Sequence, residues 1–154
     1  MRVLLLIDGL HTKELLGSLA QLVRLGESEL LLVYVRGPAS RTSLGMVTHR
    51  PGRQDIAPHR ALEVSRAEQE RAAAALAEAA ALAGPLAAAV DSMEKEGEAG
   101  RVVCEVATAW RADLVAVRSR GRDRPPGGKA TLGPAAHYIA DHAPCPVLLL
   151  HGDR

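Results

Sequence analysis

Two short runs near the start of the chain consist almost wholly of apolar residues, Arg2–Ile7 and Glu29–Val35. Runs of this kind, rich in leucine and valine, are typical of strands buried on both faces. Between them, apolar residues recur at helical spacing, which predicts a helix capped by Thr12 and ended at Gly26. A strand, a helix and a strand with short connections form a βαβ unit, so the pattern predicts a parallel sheet.

After one irregular segment, the same alternation of helices and strands continues along the chain. The segment at about 36–58 holds several proline and glycine residues and predicts a long loop. The elements predicted beyond it are, in order, a helix over His59–Ala83, a strand over Leu86–Asp91, a charged turn over Glu94–Glu98, a helix carrying Val102, Val103, Val106 and Trp110, a strand over Asp113–Val117, a helix that opens at Gly133-Pro134 and ends before Pro144, and a strand over Val147–Leu150.

Five predicted strands and four predicted helices indicate one domain over residues 1–154. Because crossovers between parallel strands are right-handed, the order predicts an α/β fold, an open five-stranded parallel sheet with helices on both faces, Rossmann-like in its winding. In such sheets, ligands bind beyond the carboxyl ends of the strands. That edge is expected to collect Asp8-Gly9, the end of the second strand at Val35–Gly37, and the loop from Arg118 to Lys129.

Composition narrows the class of protein. A net charge of +1 and 47% apolar residues indicate a soluble globular protein, and the balanced charge with 2% aromatic residues argues against nucleic-acid binding. The apolar run Val3–Ile7 is too short for a leader and no segment suggests a membrane partner, so a cytoplasmic location is expected. Cys104 and Cys145 form no metal or redox motif and are predicted to be buried, reduced thiols.

The loop before the last helix is strongly basic. It carries a single acid, Asp123, among the basic residues Arg118, Arg120, Arg122, Arg124 and Lys129. A positive field beside a helix N-terminus favours an anion. A solvated basic loop without a ligand is the alternative interpretation, because runs of charge usually lie on the surface.

Known chemical motifs do not fit the chain. A P-loop would need glycine five residues before Gly128, where Asp123 stands, and no GxGxxG follows a predicted strand. His137 and His142 are five residues apart on one predicted helix, a spacing that does not suit a metal site. No serine, Ser119 included, lies in a nucleophile elbow. The sequence therefore predicts neither catalytic residues nor a metal site.

Four segments together resemble the universal stress protein (UspA-like) family: VLLLIDG, LLLVYV, ADLVAVRSRG and LGPAAHYIADHAPCPVLLL. Their order and spacing match over nearly the whole chain, and HAPCPVLLL is the most specific part. The resemblance implies the five-stranded adenine nucleotide alpha hydrolase-like fold and a role in the stress response. It also implies a homodimer, in which the last strands pair across a two-fold axis through Val147, Leu148, Leu149 and Leu150.

Members of this family divide into those that bind ATP and those that do not. The binders show Gly-x-x-Gly, nine residues, then Gly followed by Ser or Thr. Here Arg118 replaces the first glycine, eleven residues separate Gly121 from Gly133, and Pro134 replaces the Ser or Thr. Proline removes a hydroxyl and a backbone N–H that a phosphate would use. The resemblance, with these departures, predicts a non-catalytic module that does not bind ATP in the family's usual way and acts through protein partners.

An alternative hypothesis keeps a nucleotide or anion site, rebuilt around the basic loop. Asp8 matches the acid that ends the family's first strand, and Val35 matches the backbone position near the base. Guanidinium groups of the loop could pair with phosphates. The candidate binding residues of such a sensor, with ATP as its cofactor, are Asp8, Val35, Arg118, Arg120, Gly121, Lys129 and Gly133. Slow ATP hydrolysis is a further hypothesis, although Asp123 is more typical of a local charge partner than of a general base.

Overall fold

The computed structural model describes residues 1–37, 58–119 and 132–151. The predicted loop at 36–58 lies outside these ranges except at its two ends. The helices and strands, in chain order, are β1 (Arg2–Ile7), α1 (Thr12–Leu22), β2 (Glu29–Arg36), α2 (Pro58–Ala83), β3 (Ala89–Glu96), α3 (Ala99–Trp110), β4 (Leu114–Ser119), α4 (Pro134–His142) and β5 (Val147–His151), with a 3₁₀ turn at Leu25–Glu27.

The five strands form one parallel sheet in the order β3-β2-β1-β4-β5. β1 therefore lies at the centre, where Leu5 is opposite Leu32 of β2 and Ala116 of β4. Two apolar clusters cover the two faces. Leu5 belongs to the cluster that contains Leu16 of α1. The neighbouring Leu4 belongs to the cluster formed with α3 and α4. The predicted α/β fold with helices on both faces is confirmed. Because successive residues of β1 point to opposite faces of the sheet and both faces are covered, the strand is apolar without interruption.

The third strand is where the predicted boundaries are wrong. The strand spans Ala89–Glu96 instead of Leu86–Asp91, so the charged turn predicted at Glu94–Glu98 is strand for most of its length. β3 pairs with β2 alone and lies at an edge of the sheet. An edge strand needs little apolar surface, so the polar residues of β3 are compatible with a strand although their pattern predicts a turn. The chain turns only at Gly97, which has a φ of +144° and donates its N–H to the carbonyl of Arg36.

Two further boundaries differ from the prediction and bear on the site. Thr12 does not cap α1, because it is the first residue of the helix and His11 is the N-cap, without a side-chain capping bond. Asp8 accepts hydrogen bonds from the backbone N–H groups of Leu10 and His11, just before the helix. The helix ends at Leu22, and Gly26 lies in the following 3₁₀ turn. β4 extends to Ser119, so Arg118 is a strand residue and not the first residue of a loop. This last correction changes where the Arg118 side chain lies.

The two cysteines are less buried than predicted. Cys104 of α3 and Cys145, just before β5, are free thiols that are each only partly buried, at the border of the cluster beneath α3 and α4. Burial raises the pKa of both thiols above the usual range for cysteine. A raised pKa lowers the fraction of thiolate at neutral pH.

Candidate functional site

The strand order places a crevice beyond the carboxyl ends of β1 and β4. From β1 the chain builds outward through β2 and β3 on one side, whereas β4 and β5 lie on the other. Open α/β sheets bind ligands at such a point, where the direction of winding reverses. Asp8 follows β1 directly, and Arg118 is the second-last residue of β4. These two side chains therefore lie on opposite sides of the crevice.

The Asp8 carboxylate is engaged at both oxygens. Its Oδ1 accepts hydrogen bonds from the backbone N–H groups of Leu10, at 2.9 Å, and His11, at 3.0 Å. Its Oδ2 lies 3.1 Å from Nδ1 of His11 and 3.6 Å from a terminal guanidinium nitrogen of Arg118. Burial alone would raise the pKa of Asp8, but the two backbone hydrogen bonds, together with the His11 ring, lower it below its ordinary value. Asp8 is therefore an ionised anchor of the turn before α1.

The turn after Asp8 requires glycine. Gly9 has a φ of +75°, and a Cβ built on it would lie 3.2 Å from the Cβ of Ala75 on α2 and 3.5 Å from Cε2 of Tyr34. A side chain at this position would strain the backbone and press on α2. The small residues on both sides let α2 approach the end of β1.

Arg118 points across the crevice from a strand that holds it firmly. It lies opposite Leu150 of β5 in the sheet register. Its side chain is 13% exposed, and its guanidinium forms the ion pair with Asp8. The next residue, Ser119, is a buried hydroxyl that ends the same strand. The sequence indicated a basic residue at the start of a loop, whereas the structure places a mostly buried cation inside the crevice.

Val35 lies on the other side of β1, at the carboxyl end of β2. It is partly buried and packs against the cluster under α3 and α4. A recess of about 220 Å³ at this end of β2 is lined by Tyr34, Val35, Arg36, Gly37, Glu68 and Arg71. Tyr34 connects the recess with the turn after β1, because its ring also lies beside Gly9. Sequence reasoning missed Tyr34, although its place just before Val35 in a strand that ends at this edge was the available signal.

Arg36 closes the outer side of this recess through two carboxylates on β3. Its Nε pairs with Oε1 of Glu94, and its second terminal nitrogen lies 3.7 Å from Oε2 of Glu96. The Arg36 side chain is 17% exposed. The ion pairs fasten the end of β2 to the edge strand and keep this cation away from the crevice.

Gly133 begins α4 as predicted. It is the N-cap residue, with a φ of +80°, and Pro134 occupies the first helical turn. Proline suits this position because its missing N–H would have no partner within the helix. The same absence leaves the helix start with one fewer donor for an anion. The remaining candidate residues, Arg120, Gly121 and Lys129, lie outside the described ranges, as does Asp123.

The histidines of α4 interact with their own helix. His137 Nδ1 lies 3.1 Å from Oδ2 of Asp141, and the ring of His142 stacks on Tyr138 with centroids 4.1 Å apart. Among the residues that the structure describes, no group of three potential ligands could hold a metal ion. No helix in those ranges is long and apolar enough to cross a membrane.

The fold is that of a doubly wound α/β protein, in which the direction of winding reverses between β1 and β4. The family model "Universal stress protein family" matches residues 1–151. The chain belongs to the universal stress protein family. A comparison with curated proteins finds no match.

Solved structures of this family share the fold at low sequence identity. Universal stress protein UspA from Lactobacillus plantarum is 18% identical, with 97% of each chain covered and a TM-score of 0.72. The universal stress protein from Archaeoglobus fulgidus is also 18% identical, with 97% of each chain covered and a TM-score of 0.69. A family member from Arabidopsis thaliana, solved with AMP bound, is 15% identical over 99% of this chain and 92% of its own, with a TM-score of 0.66.

Proposed function

We propose that the protein is a homodimeric universal stress protein module of the cytoplasm that acts through protein partners in the stress response. It catalyses no reaction and does not bind ATP in the family's usual way. The observation that carries this proposal is the engagement of Asp8, whose two oxygens already meet two backbone N–H groups, the His11 ring and Arg118. A ligand that used this carboxylate would first have to displace one of these partners.

The other end of the crevice supports the same conclusion. The first glycine of the binders' loop would stand where Arg118 fills space with a mostly buried side chain. At the start of α4, Pro134 offers neither a hydroxyl nor an N–H. Charge-assisted hydrogen bonds contribute about 1.5–3 kcal/mol each. Losing two of them weakens a nucleotide site by about two to four orders of magnitude.

Two features of the described acids and bases support the non-catalytic part of the proposal. Asp8 has a lowered pKa, which makes its carboxylate a weak base at neutral pH. The pair of His137 and Asp141 lies on the open surface of α4, where each side chain is more than half exposed. Solvent at such a surface screens the interactions that tune catalytic groups.

The dimer is proposed from the edge formed by β5. This strand pairs with β4 on one side and is the last in the sheet order. Val147, Leu148 and Leu149 are only partly buried in the single chain. An apolar edge of this kind invites pairing with another strand, and a second copy of β5 satisfies it symmetrically.

Calorimetric titration with ATP and Mg²⁺ tests the proposal. The expected result is no stoichiometric binding, while the Arabidopsis thaliana relative, titrated with AMP in the same buffer, provides the positive control. Tight one-to-one binding of ATP to this protein would contradict the proposal. Incubation with ATP should likewise release no phosphate above the rate of a buffer blank.

The second candidate function is a nucleotide or anion sensor with a rebuilt site. Solved relatives carrying AMP, cAMP and dAMP favour it, as does the cation that Arg118 brings into the crevice. Its binding residues would be Asp8, Val35, Arg118, Arg120, Gly121, Lys129 and Gly133. A thermal-shift panel of AMP, cAMP, ATP and inorganic phosphate tests it. A stabilising shift that is lost in Arg120→Ala and Lys129→Ala would support the sensor, and no shift with any of the four would exclude it.

A further inference from the structure

We propose that Arg118 decides access to the crevice between β1 and β4, because its ion pair with Asp8 closes the crevice to ligands. This inference rests on the proposed function, in which the wild-type protein does not bind ATP in the family's usual way. It adds the residue responsible and predicts that a neutral residue at this position gives the protein a binding activity that it lacks.

Both partners of the ion pair are held in place before any ligand arrives. Arg118 belongs to β4, where β5 pairs with it in register. Asp8 is fixed by the N–H groups of Leu10 and His11. Because the pair joins two rigid elements, closing the crevice needs little further loss of side-chain freedom. The ion pair therefore occupies the groups that a ligand would otherwise contact.

The charges of the pair disfavour both neutral and anionic ligands. A neutral nucleoside that hydrogen-bonds Asp8 would draw this carboxylate away from Arg118. The positive charge of Arg118, whose side chain is 13% exposed, would then be less well neutralised. An anion that takes Arg118 would bring its own charge towards the Asp8 carboxylate, 3.6 Å from the guanidinium. Either ligand gains one contact and loses another. Removing Arg118 eliminates both conflicts and also vacates the space of its side chain.

The test is a gain of binding in Arg118→Ala, measured with adenosine and with AMP by ligand-observed NMR titration. Adenosine carries no phosphate, so its binding should improve without any loss of charge attraction. We expect its Kd to fall at least about tenfold below the wild-type value, which corresponds to about 1.4 kcal/mol. Arg118→Lys keeps a cation beside Asp8 and should show little gain. The double variant Arg118→Ala with Asp8→Ala should lose the gain, because it removes the carboxylate that the ligand would use.

Arg101→Ala is the matched control. It also removes an arginine that forms an ion pair, but this pair, with Glu105, is exposed and belongs to α3 instead of β1 and β4. It should leave adenosine binding at the wild-type level. Circular dichroism and thermal unfolding verify that each variant is folded. Arg118→Gln keeps the length of the side chain without its charge and replaces Arg118→Ala if that variant does not fold.

Two results would overturn the inference. One is a folded neutral variant whose Kd for adenosine stays within twofold of wild type. The other is weaker AMP binding in Arg118→Ala, because Arg118 would then be a phosphate ligand and not a closure. Neither result contradicts the proposed absence of ATP binding, which stoichiometric binding of ATP and Mg²⁺ to the wild-type protein would refute.

Discussion

Gly100 of α3 lies directly against Tyr138 of α4, so that a Cβ built on Gly100 would come within 2.8 Å of the Tyr138 Cβ. No real pair of side chains tolerates this separation. The contact brings the backbones of the two helices together, and Tyr138 also stacks on His142. Because Tyr138 lies one turn into α4, whose N-cap is Gly133, the same contact helps to position the start of this helix.

Gly100→Ala should therefore destabilise the protein, although alanine favours helices more than glycine does. The gain in helix propensity is at most about 1 kcal/mol, and overpacking costs about 1–3 kcal/mol. We expect a net loss in the free energy of unfolding, measured by urea denaturation. Gly17→Ala in α1 is the matched control, because a Cβ there meets nothing within 4 Å. It should stabilise the protein by about 0.5–1 kcal/mol, and a loss of equal size in both variants would contradict the packing argument.

Asp8 should make the stability of the protein depend on acid pH. Its pKa is lower in the folded protein than its ordinary value, so the unfolded chain binds more protons as the pH falls. The stabilisation is fully present above the unfolded pKa, about 4 for an aspartate. It is lost as the pH falls through the lower, folded pKa.

Asp8→Asn removes this contribution and tests its sign. The difference in unfolding free energy between wild type and Asp8→Asn should be largest near neutral pH and shrink as the pH falls below about 4. Urea denaturation at a series of pH values measures it. Asp91→Asn, on exposed β3, controls for the loss of one carboxylate. A difference that grows towards acid pH would show that the hydrogen bonds to Asp8 do not favour its ionised form.

The central part of the fold could be predicted because burial on both faces leaves a clear pattern. Leu4 and Leu5 of β1 face opposite clusters, so both positions must be apolar. β3 could not be placed in this way, since it has one neighbour and carries Asp91, Ser92 and Glu94 along an open edge. An edge strand of this composition is difficult to distinguish from a charged turn.

The site was predictable only in part, for a related reason. Asp8 was found because it directly follows an evident strand, and Gly133 because it precedes a proline at a helix start. The ion pair between Asp8 and Arg118 depends on β4 lying beside β1 and on its extension to Ser119. Chain order does not reveal which strands are neighbours. An arginine that follows four apolar residues is also more typical of a loop than of a strand.

The two carboxylates that face Arg36 should contribute unequally to stability. The Glu94 side chain is 24% exposed and bonds Nε of Arg36, whereas Glu96 is 50% exposed and lies 3.7 Å from the guanidinium. A charge-assisted hydrogen bond in a mostly buried setting contributes about 1.5–3 kcal/mol, and a surface pair contributes about 0–1 kcal/mol. Glu94→Ala should thus lower the free energy of unfolding by clearly more than Glu96→Ala. Equal losses of unfolding free energy in urea denaturation would show that both ion pairs of Arg36 behave as solvent-screened surface pairs.

The proposed dimer makes a prediction about a single backbone N–H on β5. Pro146 accepts a hydrogen bond from Val115 of β4 through its carbonyl. Successive residues of a strand direct their N–H and C=O groups to alternate sides. The backbone N–H of Leu148 is therefore directed at β4, and that of Leu149 at the open edge. Leu149→Pro removes one N–H from that edge and leaves the ladder with β4 intact. We expect the variant to be a folded monomer in light scattering after size exclusion, where the wild type is a dimer.

Leu149→Ala is the control that separates the hydrogen bond from the side chain. It loses the same contacts with the cluster under α3 and α4 but keeps the N–H at the edge. If β5 strands pair across a two-fold axis, Leu149→Ala should remain dimeric, or dissociate only at lower concentration than Leu149→Pro. A folded Leu149→Pro that stays dimeric would place the interface elsewhere. A wild-type protein that is monomeric at every concentration would refute the dimer itself. The apolar edge of β5 would then remain without a partner strand in solution.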